Sequence, residues 1–338
     1  MATDTAEPEA PTSRGIPGYG WRLAARRALH GFVRHRGIDS AAALTFYSVL
    51  AFFPATLVVV SVFALVRGKD NAADDILALV SEVAQPATVE AIEGPLSELF
   101  TVTNPGIALA IGSVLALWTM SGFATAFGRA VNTVYDVHEG RQIWKFRGLM
   151  LVLALFLLTM FGALIATLLA TPNGVAAAGV PEPWLTTWNI LRYPLALLLA
   201  GLILAVLYYW TPNVRHERFR WVSYGALFAI IVWFLATAGF WLYVSLVGQY
   251  DRVYGWLGGA IVLLLWLYLS NLVLVLGAEV DAEIVRLRQL GDGQEAEAVV
   301  QLPMRDTTRN LMLAKQLAQD EADSRALRVD AAAQRNPL

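Results

Sequence analysis

The most constraining feature of this sequence is a series of six long segments that contain no charged side chain. They cover residues 41–66, 105–127, 148–170, 193–210, 221–247 and 255–278. A helix rises about 1.5 Å per residue, so about 20 apolar residues cross the roughly 30 Å hydrocarbon core of a bilayer. The composition agrees, since 57% of the residues are hydrophobic and only 15% are charged. We therefore expect an all-α fold, a polytopic integral membrane bundle of six transmembrane helices.

Positive charge is distributed unevenly among the segments that connect these spans. Of the 25 Lys and Arg residues, 21 lie in the N-terminal segment, the second and fourth loops and the C-terminal segment; the other loops hold Arg67, Lys69, Arg192 and Arg252. Cytoplasmic loops of membrane proteins carry an excess of Lys and Arg. The pattern predicts that both termini are cytoplasmic, which requires an even number of spans and so agrees with six.

The regions outside the spans differ in composition. Residues 1–20 are acidic and rich in Pro and Ala without an apolar core, which predicts a disordered tail and not a cleavable signal peptide. Residues 38–290 form the predicted membrane domain, and its acidic outer loop at 67–104 is expected to carry two short helices that cap a cavity or lie on the surface. Residues 291–338 are predicted to be a cytoplasmic tail, largely disordered or helical.

Residues 21–37 have the pattern of a basic amphipathic helix. Trp21, Ala25, Ala28, Leu29 and Phe32 repeat at helical spacing, and the candidate headgroup-binding residues are Arg22, Arg26, Arg27 and Arg34. Such a helix lies in the membrane interface, where each Arg near anionic headgroups contributes about 1 kcal/mol. Membrane lipid with anionic headgroups is therefore the expected partner. The alternative is a helix packed on the protein's own cytoplasmic face.

Polar and helix-breaking residues within the spans are the candidate substrate pathway. Pro54 removes a backbone donor, so its helix should kink or find a replacement such as the Ser48 or Thr56 hydroxyl. Asn271 should face the bundle and make an interhelical hydrogen bond. Gly255, Gly258 and Gly259 are expected to allow close helix contact. The complete candidate set is Ser48, Pro54, Ser121, Arg129, Asn132, Tyr135, Asn271 and Glu279.

Two of these residues are charged and lie at equal depth. Arg129 and Glu279 are each 24 positions from the outer starts of their spans at Pro105 and Gly255, or roughly 36 Å along straight helices. We expect them to pair at the cytoplasmic mouth if their helices are neighbours. The alternative is that each side chain reaches the headgroups separately.

The sequence contains no recognisable catalytic or metal-binding motif. Cysteine is absent, and His138-Glu139 and His216-Glu217 lack the second His of the zinc motif H-E-x-x-H. Glu279, Asp281 and Glu283 resemble a metal cluster, but Asp281 points away from the other two on a helix, which should continue to a cap at Gly291. We therefore expect no enzyme, no catalytic residue, no metal and no cofactor. The net charge of −2 also gives no overall attraction to nucleic acid.

Several motifs in order along the chain resemble those of the YihY/BrkB family of bacterial inner-membrane proteins. They are FYSVLAFFP at 46–54, LWTMSG at 117–122 followed by Asn132 and Tyr135, YWTPN at 209–213, Gly225-Ala226, Tyr250, Tyr254-Gly255 and LLLWLYLSNLVLVLGAE at 263–279; Trp256 departs from the small residue expected there.

This resemblance implies six membrane helices in the bacterial inner (plasma) membrane, a link to virulence and envelope resistance, and transport of lipid or cations. The family's older description as ribonuclease BN finds no support in the residues, because RNA hydrolysis needs caged metals or a paired acid and base. We expect a transporter of lipid or ion linked to envelope integrity. The alternatives are a non-catalytic scaffold with envelope partner proteins and, third, an enzyme.

The absence of cysteine makes the predicted topology directly testable. Single cysteines introduced at Ser97 and Thr186 should react with an impermeant thiol reagent in intact cells, whereas cysteines at His138 and His216 should react only after permeabilisation. Labelling at position 138 as fast as at position 97 would show that the orientation inferred from the arginine distribution is wrong.

Overall fold

The computed structural model describes residues 18–67, 76–78, 81, 93–94, 104–170, 181–215, 223–247 and 256–335. Its long helices are α1 (Gly18–Arg34), α2 (Gly37–Arg67), α3 (Pro105–Val134), α4 (Ile143–Leu169), α5 (Glu182–Trp210), α6 (Tyr224–Val247), α7 (Trp256–Gly291) and α8 (Thr308–Arg335). Across the ranges given, extended pairing is limited to one isolated bridge between Val214 and Met304. The expected all-helical architecture is confirmed.

Helices α2 to α7 are the six spans. The parts long and apolar enough to cross a membrane are Gly37–Val62, Pro105–Val134, Ile143–Leu169, Glu182–Trp210, Tyr224–Leu246 and Gly258–Gly291. Large apolar side chains cover their outer surfaces, among them Val114, Trp118, Leu198 and Leu235, which are all at least 65% exposed. Such a surface fits hydrocarbon and not water, since soluble monomers rarely expose large apolar patches.

The bundle is built around α3 and α7. Helix α3 packs along α2 and α4, while α7 packs along α2 and α6 and also receives α1, and α4 packs on α5. Aromatic rings of α3 and α5 stack in the core, with Phe127 lying 6.4 Å from Phe123 and 5.6 Å from Tyr208 between ring centroids. This core lies towards the end of the bundle that holds α1 and the C-terminal residues, which we call the basic end.

Helices α6 and α7 approach most closely at a pair of glycines. A Cβ atom added to Gly277 would lie 2.8 Å from the Ala229 Cβ and 3.1 Å from the Gly225 carbonyl oxygen, and it would also collide with the Tyr208 hydroxyl. By contrast, nothing lies within 4 Å of a Cβ added to Gly259. The expectation of close contact was therefore wrong at Gly259. The crossing point lies further along α7, where Gly277 meets Gly225.

Hydrogen bonds between spans involve the expected part of α7. Asn271 Nδ2 donates to Thr45 Oγ1 at 3.2 Å and to Ser48 Oγ at 3.3 Å on α2. On the other side of α7, Trp233 Nε1 of α6 donates to Ser270 Oγ at 2.9 Å. The predicted inward orientation of Asn271 and its interhelical bond are confirmed. Each such bond contributes about 0.6–2 kcal/mol in a membrane.

Pro54 lies inside α2, which continues as one helix on both sides of it. The Ser48 hydroxyl donates to the Leu44 carbonyl, and the Thr56 hydroxyl donates to the Phe52 carbonyl. The sequence had suggested that one of these hydroxyls replaces the missing Pro54 donor. Neither does, because neither donates to the Leu50 carbonyl.

The ends of the chain differ from their predicted boundaries. Helix α1 begins at Gly18, inside the segment expected to be disordered, and the rest of that segment lies outside the described residues. The two helices expected in the outer loop also lie outside them, except for residues 76–78, 81 and 93–94. At the other end, α7 reaches Gly291 as expected. Residues 292–307, which we call the strap, then cross the basic end before α8 begins.

The glycine crossing gives a stability prediction with an internal control. Gly277→Ala should destabilise the purified protein by about 1–3 kcal/mol, because the added methyl group overpacks the α6–α7 crossing. Gly259→Ala on the same helix should leave the stability unchanged or slightly raised, because alanine favours helix and its methyl group meets open space. Thermal unfolding in detergent measures both variants. Equal melting temperatures for the two would contradict the assignment of the crossing point.

Candidate functional site

Two buried carboxylates on α7 connect it to α1. Glu279 and Glu283, four residues apart and thus on one face of the helix, have side chains that are 2% and 7% exposed. His35 Nδ1 lies 2.8 Å from Glu279 Oε1, and Arg27 Nε donates to Glu283 Oε2 at 3.0 Å. Arg286, one turn further along α7, donates from Nε to Glu283 Oε1 at 3.1 Å. We call these five residues the α1–α7 cluster.

The spacing of small residues on α1 makes this cluster possible. Gly31 lies midway between Arg27 and His35, and a Cβ atom on it would lie 2.6 Å from Glu279 Oε2. Ala24 and Ala28 are also buried, at 5% and 1% exposure. A row of small residues allows close approach of the helices, so the two basic side chains reach the carboxylates. The contacts of Arg27 and His35 with these two carboxylates fix α1 on the bundle.

This arrangement corrects the expected pairing of Arg129 with Glu279. Within the part of the chain that the structure describes, Glu279 is engaged by His35, while the Arg129 side chain is exposed. Equal depth on two spans was therefore insufficient for pairing, because His35, which follows α1, is the partner of Glu279. The signal in the sequence was the spacing of Glu279, Glu283 and Arg286, which places all three on one face of α7.

A second polar network joins the loops at the basic end. Asn213 is its centre: the backbone N–H donates to Asn132 Oδ1 at 2.7 Å, and Nδ2 donates to the carbonyl oxygens of His138 and Asp306 at 3.1 and 2.8 Å. Asn132 Nδ2 in turn donates to Glu139 Oε2 at 3.0 Å. Asn213 is fully buried and Asn132 is 4% exposed. These amides satisfy backbone groups that a buried loop would otherwise leave unpaired.

Arg141 and Arg305 donate hydrogen bonds to other groups of the same network. Arg141 makes a bidentate ion pair with Glu139, with both N···O distances 2.7 Å, and Nη2 also donates to the Thr211 carbonyl. Arg305 of the strap donates to the carbonyls of Val214 and Tyr209 at 2.7 and 2.6 Å. Burial lowers the pKa of Arg305 from its usual value, although an arginine remains charged at any physiological pH.

The strap continues into α8 through a short capping turn. Asp306 Oδ1 accepts a hydrogen bond from the Thr308 N–H at 2.8 Å. Bonds from Thr308 hold the pKa of the Asp306 carboxyl below its usual range, so the carboxylate favours the helix start. The strap was not predicted to belong to the membrane bundle, because its side chains are ordinary for a polar tail.

A cavity of about 210 Å³ lies at the basic end between α5, α6, α7 and the strap. Its principal polar side chains are Tyr208, Tyr224, Asp281, Arg288 and Asp292, and the strap contributes Gln294 and Leu302. The guanidinium of Arg288 lies 5.1 Å from the centre of the Tyr224 ring, and Asp281 Oδ1 accepts from the Gly225 N–H at 3.2 Å. The cavity thus combines aromatic rings, one guanidinium and two carboxylates at the boundary between span and loop.

The predicted pathway residues do not form one lining. Ser48 and Asn271 meet in the middle of the bundle, Asn132 belongs to the loop network, and Glu279 belongs to the α1–α7 cluster. Ser121 and Tyr135 are buried on α3 and at its end, Pro54 is half-buried in α2, and Arg129 is exposed. All eight residues are described, and none of them lines the cavity.

Tyr135 interacts electrostatically with a residue of the cavity and with a residue of the α1–α7 cluster. Burial, and next the Asp281 carboxylate, raises the pKa of Tyr135 well above its usual value, and Glu279 acts in the same direction. The phenol therefore remains protonated. It lies in the electrostatic range of a carboxylate from the cavity and of one from the α1–α7 cluster.

The four predicted headgroup-binding residues are also divided by the structure. Arg27 faces inwards to Glu283, whereas Arg22, Arg26 and Arg34 are exposed. Trp21, Leu29 and Val33 lie on the outer side of α1 and are 45%, 59% and 74% exposed. The helix therefore packs on α7 through its small residues and turns a different, apolar and basic face outwards. The face towards α7 was missed because Gly and Ala give little hydrophobic signal.

The described residues contain no group of three or more His, Asp or Glu side chains arranged to hold a metal ion. Asp281, which was predicted to point away from Glu279 and Glu283, accepts a hydrogen bond from the Gly225 N–H at the start of α6. The three carboxylates therefore bind different partners, which are His35 for Glu279, Arg27 for Glu283 and the Gly225 N–H for Asp281.

Comparison with known proteins places the chain in a family. The family model described as virulence factor BrkB matches residues 28–300. The chain is 29% identical over 266 residues to the putative ribonuclease-like protein YfkH of Bacillus subtilis, covering 77% of this chain and 94% of that protein. It is 25% identical over 305 residues to a UPF0761 membrane protein of Vibrio vulnificus, covering 89% and 93%. A UPF0761 membrane protein of Chromohalobacter salexigens is 28% identical over 278 residues, covering 80% and 64%.

No solved structure matches the chain. The matched residues 28–300 contain all six spans, the α1–α7 cluster except Arg27, and most of the loop network. The relatives named as membrane proteins agree with the six apolar helices. The chain therefore belongs to the BrkB family and is a multi-pass bacterial membrane protein.

Proposed function

We propose that this protein transports phospholipid within the bacterial inner membrane, with the basic end in the cytoplasm, and that envelope integrity depends on this movement. The observation that carries the proposal is the position of the cavity. Its polar lining includes Tyr224, the first residue of α6, and an exposed apolar surface continues from Tyr224 along that helix. Only an amphipathic ligand uses both the polar lining and the apolar surface.

The apolar surface lies on α6. Tyr224 lines the cavity, and Leu227, Ile231, Phe234 and Leu235 follow it along one face of the helix, with exposures of 47–68%. Residues spaced by three, seven and ten or eleven positions share a face. Acyl chains along this stripe would remain in hydrocarbon while the headgroup entered the cavity.

A line of polar groups leads from the cavity towards the middle of the membrane. Asp281 lines the cavity, the Tyr208 hydroxyl donates to the Leu274 carbonyl at 2.8 Å, and Ser270 meets Trp233. Positions 281, 277, 274 and 270 follow the spacing of one face of α7. From 281 to 270 is roughly 16 Å at about 1.5 Å per residue, or about half of the hydrocarbon thickness. A headgroup could move along this line only when the α6–α7 crossing at Gly277 opens, and it would then exchange polar partners.

The same features favour lipid over a small ion and over hydrolysis. The binding of a small ion does not require an apolar surface beside the site. For hydrolysis of RNA, suggested by the name of the Bacillus subtilis relative, free carboxylates would be needed, whereas Glu279 and Glu283 are held by His35 and Arg27. We therefore favour a transporter that is not an enzyme.

Helix α1 supports a contact with the membrane surface. Its outer face combines Trp21, Leu29 and Val33 with the exposed Arg22 and Arg26, the composition typical of helices that lie in the interface beside anionic headgroups. Arg27 is not part of this proposed contact, because it pairs with Glu283.

A scaffold for envelope assembly is the second candidate, and α8 favours it. The described side chains from Leu311 to Ala331 are all exposed, so this long helix is available to a partner protein. The scaffold proposal predicts no lipid movement in the purified protein, which separates it from transport.

Reconstitution tests the transport proposal. Liposomes containing the full chain and a fluorescent phospholipid should lose fluorescence beyond the outer-leaflet fraction when an impermeant reductant is added. Ser270→Ala should slow this loss roughly 3- to 10-fold, because one hydrogen-bond step of about 0.6–1.4 kcal/mol is removed from the polar line.

Thr159→Val on α4 is the matched control, because its hydroxyl is exposed and bonds only its own helix at Leu155. Fluorescence that stops at the outer-leaflet fraction would refute lipid transport. A cation-sensitive dye in the same liposomes would reveal an ion transporter instead.

The proposed surface contact of α1 can be tested in the same liposomes. A polarity-sensitive dye on Val33→Cys should emit at shorter wavelength than the same dye on the α8 variant Leu317→Cys. Replacement of Arg22 and Arg26 by Gln should shift the Val33 emission back in anionic liposomes, because about 2 kcal/mol of attraction is lost. Emission at position 33 that matches position 317 would place α1 in water.

A further inference from the structure

We propose that the cavity between α5, α6, α7 and the strap is a binding site for a phospholipid headgroup that carries both a phosphate and a primary ammonium group. The phosphate lies beside Arg288, and the ammonium lies beside Asp281. This inference rests on the proposed function, since it names the class of lipid that the transporter accepts.

The size of the cavity selects a headgroup. Pockets for drug-sized ligands enclose about 300–1,000 Å³, whereas this cavity encloses about 210 Å³. A whole lipid or a sugar-bearing headgroup does not fit such a volume. A phosphate with a short ammonium-bearing arm does, and its acyl chains remain outside on the apolar face of α6.

The charges of the lining select a zwitterion. Arg288 contributes one positive charge, and Asp281 and Asp292 contribute two negative charges. The two carboxylates outnumber the one guanidinium, so the lining repels a purely anionic headgroup. A headgroup with one phosphate and one ammonium places an opposite charge beside each kind of side chain.

The geometry brings the two kinds of charge within the length of one headgroup. Asp281 and Arg288 are seven residues apart on α7 and so share a face, roughly 10 Å apart along the axis. Helical side chains point back towards the N-terminus, so the long Arg288 side chain reaches towards Asp281. The centre of the Tyr224 ring lies 5.1 Å from the Arg288 guanidinium, and the Gly225 N–H donates to Asp281 at 3.2 Å. These contacts hold both charged groups in the lining of the cavity.

The position at the end of the spans agrees with a headgroup site. Tyr224 is the first residue of its span and is 48% exposed. Trp21 of α1 contacts its ring edge-on, with 6.1 Å between centroids. Aromatic residues of this kind lie at the level of the headgroups.

The test uses the full chain in detergent with short-chain phospholipids that differ only in headgroup. Phosphatidylethanolamine should raise the thermal unfolding temperature at concentrations at least 10-fold lower than phosphatidylglycerol or phosphatidylcholine. Asp281→Asn should abolish this preference, and Asp292→Lys, at an exposed position, should weaken it because it replaces a negative charge of the lining by a positive one. Asp320→Asn on the exposed helix α8 is the matched control and should retain the preference.

Three outcomes would overturn the inference. One is equal stabilisation by the three headgroups, and the second is an unchanged preference in both Asp281→Asn and Asp292→Lys. The third is an equal effect of free phosphoethanolamine, which would show that the ligand is a soluble molecule and not a lipid. Lipid movement without headgroup preference would refute this inference and leave the proposed function standing. Headgroup preference without lipid movement would refute the function and leave the site standing.

Discussion

The cost of leaving a polar group unpaired in hydrocarbon governs the arrangement of this bundle. Without water in the membrane core, apolar side chains gain little by leaving lipid for protein, so helix contacts depend on close packing and hydrogen bonds. Helix α7 supplies both. Asn271 reaches α2, Ser270 accepts from Trp233 of α6, and Gly277 allows α6 to pack against its backbone. The positions of α2 and α6 follow from these contacts.

At the basic end the same requirement is met by charge pairing. The carboxylates Glu279 and Glu283 would be costly to bury alone, and α1 supplies the partners for both. The strap is held by Arg286, whose Nη1 donates to the Ala296 carbonyl at 2.9 Å, and by Arg305 on the other side. These two peripheral segments therefore complete the membrane bundle, and Asp292, Gln294 and Leu302 of the strap line the cavity.

The spans were predictable because a long uncharged segment has only one stable form in a bilayer. The inward orientation of Asn271 followed from the same cost. The pairing of Arg129 with Glu279 was not correct, because depth along two helices says nothing about which helices are neighbours. The face of α1 that packs on α7 was not identified from the sequence. Trp21 and Leu29 dominate the hydrophobic pattern, yet the residues that pack on α7 are Ala24, Ala28 and Gly31, whose value is their small size.

The sequence by itself determined that this chain is a six-span helical membrane protein, because hydrophobic length and the cost of unpaired backbone groups leave no other architecture. It also determined where charge is concentrated. Only the tertiary structure decided which charges meet. Arg27 and Glu283 are 256 positions apart in sequence, and Asn213 and Asp306 are 93 apart, so no local pattern connects them. The cavity is likewise a property of the assembled helices, because its lining comes from α5, α6, α7 and the strap, and their relative positions are set by packing between helices and not by the pattern within any one of them.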